Sequence, residues 1–190
     1  AEGNDAGGKK FFGEINVWLQ NGASWTNEAW GEPPDAYFGE DFSESHLKRL
    51  VGGESADKAG HIFQKPGEDE DSEGINIRVD DYKGFTNVYY GHKDEKPTDI
   101  LGGTFTVTKA QPGSGINLIT DSKGLNVDSS KAADKNLASE TLNALANKLF
   151  YTAYKNGETN LAGKVEIAEG LTASSLSKRM EDVTFKESNG

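Results

Sequence analysis

The stretch GINIRVDDYKGFTNVYYGHKDEKPTDILGGTFTVTKAQPGSGINLITDSKGLNV, residues 74–127, decides the fold. Short runs rich in β-branched and aromatic residues recur at 75–79, 86–90, 100–101, 104–107 and 116–119, with Gly, Pro, Asn or Asp between them. Many short strands at near-regular spacing mark a sandwich, a barrel or a solenoid. A sandwich of hairpins needs more two-residue Asn-Gly or Asp-Gly turns than this stretch contains. Several of the runs carry Asn or Thr, which suits stacking of like residues from coil to coil. The expected architecture is mainly β, a right-handed parallel β-helix.

The same reading extends towards residue 1. Ile15, Val17 and Leu19 alternate with Asn16 and Trp18, the period of a half-buried strand. Asn21-Gly22 is a turn signal, after which 23–26 resumes as strand. Pro33-Pro34 forces an extended path. Strands are expected at 46–51, closed by Gly52-Gly53, and at 61–63. Residues 1–10 read as a flexible lead-in and 11–190 as one solenoid segment, a fragment of a longer surface protein.

Past residue 127 the period changes. Ala138, Leu142, Leu145, Leu149 and Ala153 recur at helical steps, with Leu137, Ala146 and Phe150 widening the stripe. Ser129 or Ser130 can cap this helix and Asn156-Gly157 can stop it. The pattern predicts one amphipathic α-helix over 130–154, packed by its leucines on the flank or end of the β-core. Strand signals return at 163–168, with shorter ones at 171–173 and 183–185.

Composition fits a thin, turn-rich core: of 190 residues 34% are hydrophobic and 23 are Gly. Acidic residues outnumber basic ones 31 to 20, for a net charge of −11. Such a surface repels phosphate backbones, which argues against nucleic acid as a partner. With no cysteine, the chain has no disulfide, no thiolate metal site and no Cys nucleophile. No apolar run approaches the ~20 residues that span a bilayer, and AEGNDAGGKK at the start lacks a signal-peptide core.

The residues offer little catalytic or metal chemistry. His46, His61 and His92 stand at no metal-ligand spacing, and no cofactor is expected. PGEDEDSEG at 66–74 packs Glu68 to Asp71 consecutively without the Gly that a calcium loop turns on, so the acidic segment 68–73 reads as a solvated loop. Asp80 with Asp81, and Asp94, Glu95 and Asp99 beyond them, are the carboxylates from which a saccharide-cleaving site could be built. Aromatics draw more attention: Trp18, Trp25, Trp30, Tyr37 and Phe38 crowd the first quarter, and Tyr82, Tyr89 and Tyr90 sit mid-chain. Trp25, Trp30, Tyr37 and Phe38 are the candidate set, either stacking on a sugar or protein partner or capping the open end of the coil stack.

INVWLQNGASWTN at 15–27 resembles the strand–Asn-Gly–strand coils of autotransporter passenger domains, the pertactin-like adhesins of Gram-negative bacteria. DYKGFTNVYYGHK at 81–93, DILGGTFTVTKAQPGSGINLITD at 99–121 and AGKVEIAEGLTASS at 162–175 are similar to further passenger segments. The resemblance implies a secreted, non-enzymatic β-helical stalk at the cell surface, its parent anchored in the outer membrane by a C-terminal barrel. It implies adhesion to a host or bacterial surface glycan or protein, with self-association open. Two other readings remain. A β-helical polysaccharide lyase or glycoside hydrolase would hold converging carboxylates, or a carboxylate with Lys or Arg, in a cleft. A bare structural spacer would show no concave or aromatic surface.

Overall fold

The computed structural model describes residues 2–4, 10–12, 14–28, 44–67, 74–93, 95–125, 132–168 and 178–179. Strands β1 (Glu2–Asn4) and β2 (Lys10–Phe12) pair antiparallel as a small sheet of their own. From there the chain runs through β3 (Asn16–Trp18), β4 (Ser24–Asn27), β5 (Glu44–Val51), β6 (Gly60–Gln64), β7 (Asn76–Lys83) and β8 (Phe85–Lys93). It continues through β9 (Lys96–Leu101), β10 (Phe105–Ala110), β11 (Ser114–Thr120), helix α1 (Ala132–Ala146), β12 (Leu149–Tyr151), β13 (Leu161–Ile167) and β14 (Lys178–Arg179).

Over the described residues the chain is mainly β with one α-helix, and its two large sheets are built of parallel pairs. One has the order β12-β10-β7-β5-β3, the other β13-β11-β8-β6-β4, with β14 added antiparallel to β13. We call them the first and second sheets. Apart from β9, which folds back antiparallel on β8, each successive strand from β3 to β13 joins the sheet its predecessor did not.

Register places like positions in columns. In the first sheet Leu47, Val79, Val107 and Tyr151 lie side by side, and Ser45, Ile77, Phe105 and Leu149 form the next inward column. In the second, Trp25, Ile62, Val88, Leu118 and Val165 do the same. Apart from Ser45, these inward residues meet in or pack against one hydrophobic cluster. Such burial, worth roughly 1.5–3 kcal/mol per large aliphatic side chain, is what the period-two pattern secures.

A polar strip runs inside the same cluster. Asn27 Nδ2 donates to Gln64 Oε1 and to the Ile75 carbonyl, both at 2.7 Å, and Ser45 Oγ donates to Asn27 Oδ1 at 3.0 Å. The Tyr90 hydroxyl donates to the Gly103 carbonyl at 2.9 Å. Partnered in this way, the buried amides avoid the penalty of unmade hydrogen bonds.

Three strands of the first sheet break alternation at one shared place. Lys48-Arg49, Asp80-Asp81 and Thr108-Lys109 are successive outward residues, and the buried positions step from Leu47 to Leu50, Val79 to Tyr82 and Val107 to Ala110. The phase of the buried positions therefore shifts by one residue at the same level in all three strands. The turns that follow are short. Gly84 alone separates β7 from β8, at φ +86°, and a Cβ on it would stand 2.6 Å from the Gly53 carbonyl oxygen. Gln111-Pro112-Gly113-Ser114 joins β10 to β11, with Gly113 at φ +81° and the Ser114 N–H on the Gln111 carbonyl. Asn21 and Gly22 both adopt positive φ, the turn expected from their sequence. That turn does not close a hairpin, because β3 pairs with β5 and β4 with β6.

The helix is shorter than its periodicity predicts. It ends at Ala146, and Leu149–Tyr151 is a strand beside β10, followed by a 3-10 turn over Thr152–Asn156. Leu149 and Tyr151 lie two apart and both are buried. Leucines of this kind satisfy a period of two as well as of four, and the open flank of β10 supplied ladder hydrogen bonds that a longer helix would have left unmade. Ala138, Leu142, Leu145 and Ala146 are buried as the stripe requires, and α1 packs on the flank against β9, β11 and β13. No described helix is long and apolar enough to cross a membrane.

Candidate functional site

Because the inward columns are taken up by the hydrophobic cluster and its internal hydrogen bonds, the outward columns carry the chemistry that the sheets display. On the second sheet Thr26, Phe63, Tyr89, Ile119 and Glu166 form one outward column. The rings of Phe63 and Tyr89 stack at 4.8 Å between centroids and 14° between planes. Phe63 keeps 38% of its surface exposed. In the adjoining column His61, Asn87 and Asn117 follow one another. His61 Nδ1 lies 3.0 Å from the Tyr89 hydroxyl, and Asn117 Nδ2 donates to Asn87 Oδ1 at 3.0 Å. Three strands thus present a patch of aromatic faces beside amide and imidazole groups. Rings can stack on the C–H face of a sugar or on a protein side chain, and amides can bond hydroxyls.

A second feature lies at the ends of β3, β5 and β7, whose last residues are Trp18, Val51 and Lys83. Trp18, Gln20, Arg49, Val51, Asp81, Lys83 and Gln111 line a cleft of about 270 Å³. Register assembles it: Trp18, Val51 and Lys83 form one column, and Arg49 and Asp81 are neighbours in another. Trp18 is 56% exposed, while Leu19 beside it is buried. The alternation read from 15–19 therefore holds at Val17, Trp18 and Leu19, whereas Ile15 is exposed rather than inward.

The candidate aromatics divide. Trp25 is half-buried and packs against the hydrophobic cluster from the inward column, so it is not an outward platform. Trp30, Tyr37 and Phe38 lie outside the described residues, as does the acidic segment 68–73. Tyr82 and Tyr90, grouped with the mid-chain aromatics, are core residues. Burial pushes both phenols well above the ordinary tyrosine range, so they stay protonated. Tyr82 donates to the Gly115 carbonyl at 2.8 Å and lies 2.9 Å from Thr86 Oγ1.

Among the described residues these carboxylates do not converge, and Asp94 lies outside them. Asp80 faces outward, its Oδ1 2.9 Å from His46 Nε2 and its Oδ2 3.6 Å from Lys48 Nζ. Partial burial raises the Asp80 pKa, but the hydrogen bond and charge of His46, with the charges of Lys48 and Arg78, outweigh it and hold the carboxyl below its ordinary value. Asp81 is in the cleft with Arg49 and Lys83, without a second acid. Asp99 is tied to Lys96 at 3.2 Å, and Glu95 is exposed at the turn before β9. Of the histidines, His46 and His61 are outward strand residues. His92 is buried, with Nδ1 3.0 Å from the Lys93 carbonyl and Nε2 2.9 Å from Asp121 Oδ1 but misaligned for a hydrogen bond.

His61, Phe63, Asn87 and Asn117 were not singled out from sequence as binding residues. Their signal was the phase of each strand: once Ile62 and Val88 are inward, His61, Phe63, Asn87 and Tyr89 must be outward. Comparison with family models, with curated proteins and with solved structures finds no match to this chain.

Proposed function

We propose that the chain is a segment of a secreted bacterial surface protein, a right-handed parallel β-helix of the autotransporter-passenger kind, acting in adhesion without catalysis. The winding has support in the strict alternation of passes between two parallel sheets ordered as in sequence. Connections between neighbouring parallel strands are right-handed in about 98% of cases, which supports the hand. Cell-surface display, and anchoring of the parent by an outer-membrane barrel, rest on the sequence resemblance.

The observation that carries adhesion is the outward patch on the second sheet, where the Phe63–Tyr89 stack adjoins His61 and the Asn87–Asn117 pair. A spacer has no need to turn an aromatic stack to solvent. The ligand class is a surface glycan or protein that meets rings and amides together. The test is a glycan array joined to a cell-binding assay, with wild type set against Phe63→Ala/Tyr89→Ala. Binding that falls at least tenfold in the double variant, with an unchanged circular dichroism spectrum, supports the reading. Equal binding by both proteins, or no binding by either, removes it.

The lyase reading draws on one observation, the presence of Asp81 with Arg49 and Lys83 in a single cleft. Incubation with a polyuronate, followed by a search for unsaturated sugar ends, decides it.

A further inference from the structure

We infer that the cleft beside Trp18 is a second binding site, separate from the second-sheet patch, and that it takes a carboxylate-bearing pyranose of an acidic saccharide. The inference goes beyond the adhesion reading, since neither Phe63 nor Tyr89 contributes to it.

Size is the first argument. A volume of about 270 Å³ sits just below the ~300 Å³ at which pockets for drug-sized ligands begin, so it suits one sugar ring better than an extended ligand. The second argument is Trp18. Its indole has no role in the core, where Leu19 and Val17 already fill the inward positions, and it offers a broad apolar face at the rim. Such a face stacks on the C–H side of a pyranose.

Charge names the ligand. The chain carries −11 overall, with 31 acids available to 20 bases. Yet among the described residues Arg49 and Lys83 make no ion pair, although both border the cleft and Asp81 lies between their strand positions. Two cations against one carboxylate leave this wall positive on an acidic molecule. Arg49 offers the planar fork that matches a carboxylate, and Lys83 a point charge on the neighbouring strand. Gln20 and Gln111, from the two turns that close the cleft, place amide groups where ring hydroxyls would lie. No single strand could supply this set. Residues from β3, β5 and β7 and from the turn after β10 meet only because the strands stack in register.

Carboxylated pyranoses come from uronic-acid polymers and from sialylated glycans, and calorimetric titration of the intact chain separates the two. The probes are trigalacturonate and 3′-sialyllactose, each beside its neutral counterpart, methyl-esterified trigalacturonate and lactose. The expected result is binding of at least one acidic probe, with at least a tenfold loss for its neutral counterpart. Arg49→Gln and Trp18→Ala should each weaken that binding at least fivefold. Asp81→Asn should strengthen it, because it removes the like charge from the wall. Phe63→Ala should leave it unchanged, which keeps this site distinguishable from the sheet patch. Absence of binding by both acidic probes, equal binding of the neutral forms, or weaker binding by Asp81→Asn would each overturn the assignment. Trp18, Arg49 and Asp81 project from the core, so melting curves of the variants should overlay the wild type.

Discussion

Ile77, Val79, Phe105 and Val107 line the inside of the first sheet, and Ile62, Val88, Ile116 and Leu118 the inside of the second; all eight are fully buried. The outsides differ. On the first sheet, neighbouring strands set Arg49 beside Asp81 and Asp81 beside Lys109, so the sign alternates down the column. On the second, the corresponding positions are Phe63, Tyr89 and Ile119, flanked by His61, Asn87 and Asn117. Parallel in-register stacking brings each outward residue against its counterpart one strand away, so a column of like charge would repel itself. One sheet answers by alternating sign, the other by placing Phe63, Tyr89 and Ile119 at these positions of its middle strands. The comparison separates two tasks: the inside holds the two parallel sheets together, and the outside is left to carry the proposed binding surfaces.

That separation breaks most visibly under mutation of the core. Phe105→Ala on the first sheet and Leu118→Ala on the second should each cost about 2–5 kcal/mol in urea denaturation, the usual range for large buried side chains. Their outward neighbours Arg78→Ala and Asn117→Ala should fall within about 1 kcal/mol. A costly outward change or a neutral inward one would mean that the faces are assigned the wrong way round.

A smaller effect sharpens the electrostatic half of the comparison. The Asp80 carboxyl titrates below its ordinary value in the fold, held there by His46, Lys48 and Arg78 against the opposing effect of burial. A depressed folded pKa contributes stability that is complete above the unfolded value of ~3.9 and is lost as pH falls through the lower folded value. Wild type should therefore exceed Asp80→Asn by about 0.2–1 kcal/mol at pH 6, the scale of an exposed pair, and the gap should close towards pH 2. A gap that widens in acid would reverse the sign of the interaction.

Strand positions were legible because alternation is local. The runs at 46–51, 61–63, 75–79, 86–90, 104–107 and 116–119 all fall within or largely within strands. Pairing was less legible, since Asn21-Gly22 is an equally good signal for a hairpin and nothing local states that β3 lies beside β5. The helix boundary misled because Leu149 fits both periods, and only the neighbouring β10 decides between them. The proposed binding surfaces were the least legible. Trp18 is outward by its phase, but its cleft needs Lys83 from β7 and Gln111 from the turn after β10. Trp25 stands out in the sequence by the crowding of aromatics in the first quarter, although sharing a face with the buried Asn27 puts it on the inward column.

The central claim is that neighbours in the second sheet are parallel strands separated by a pass through the first sheet, not the two arms of hairpins. Because the chain has no cysteine, engineered pairs report it without interference. Asn87 and Asn117 are register partners on β8 and β11, whereas a hairpin closed by Pro112-Gly113 would set Asn117 opposite Thr108. Adjacent strands hold Cα atoms within the ~4.4–6.8 Å that a disulfide requires. Under mild oxidation, Asn87→Cys with Asn117→Cys should form an intramolecular disulfide, and Thr108→Cys with Asn117→Cys should stay reduced. Cross-linking of the second pair in place of the first would contradict the account.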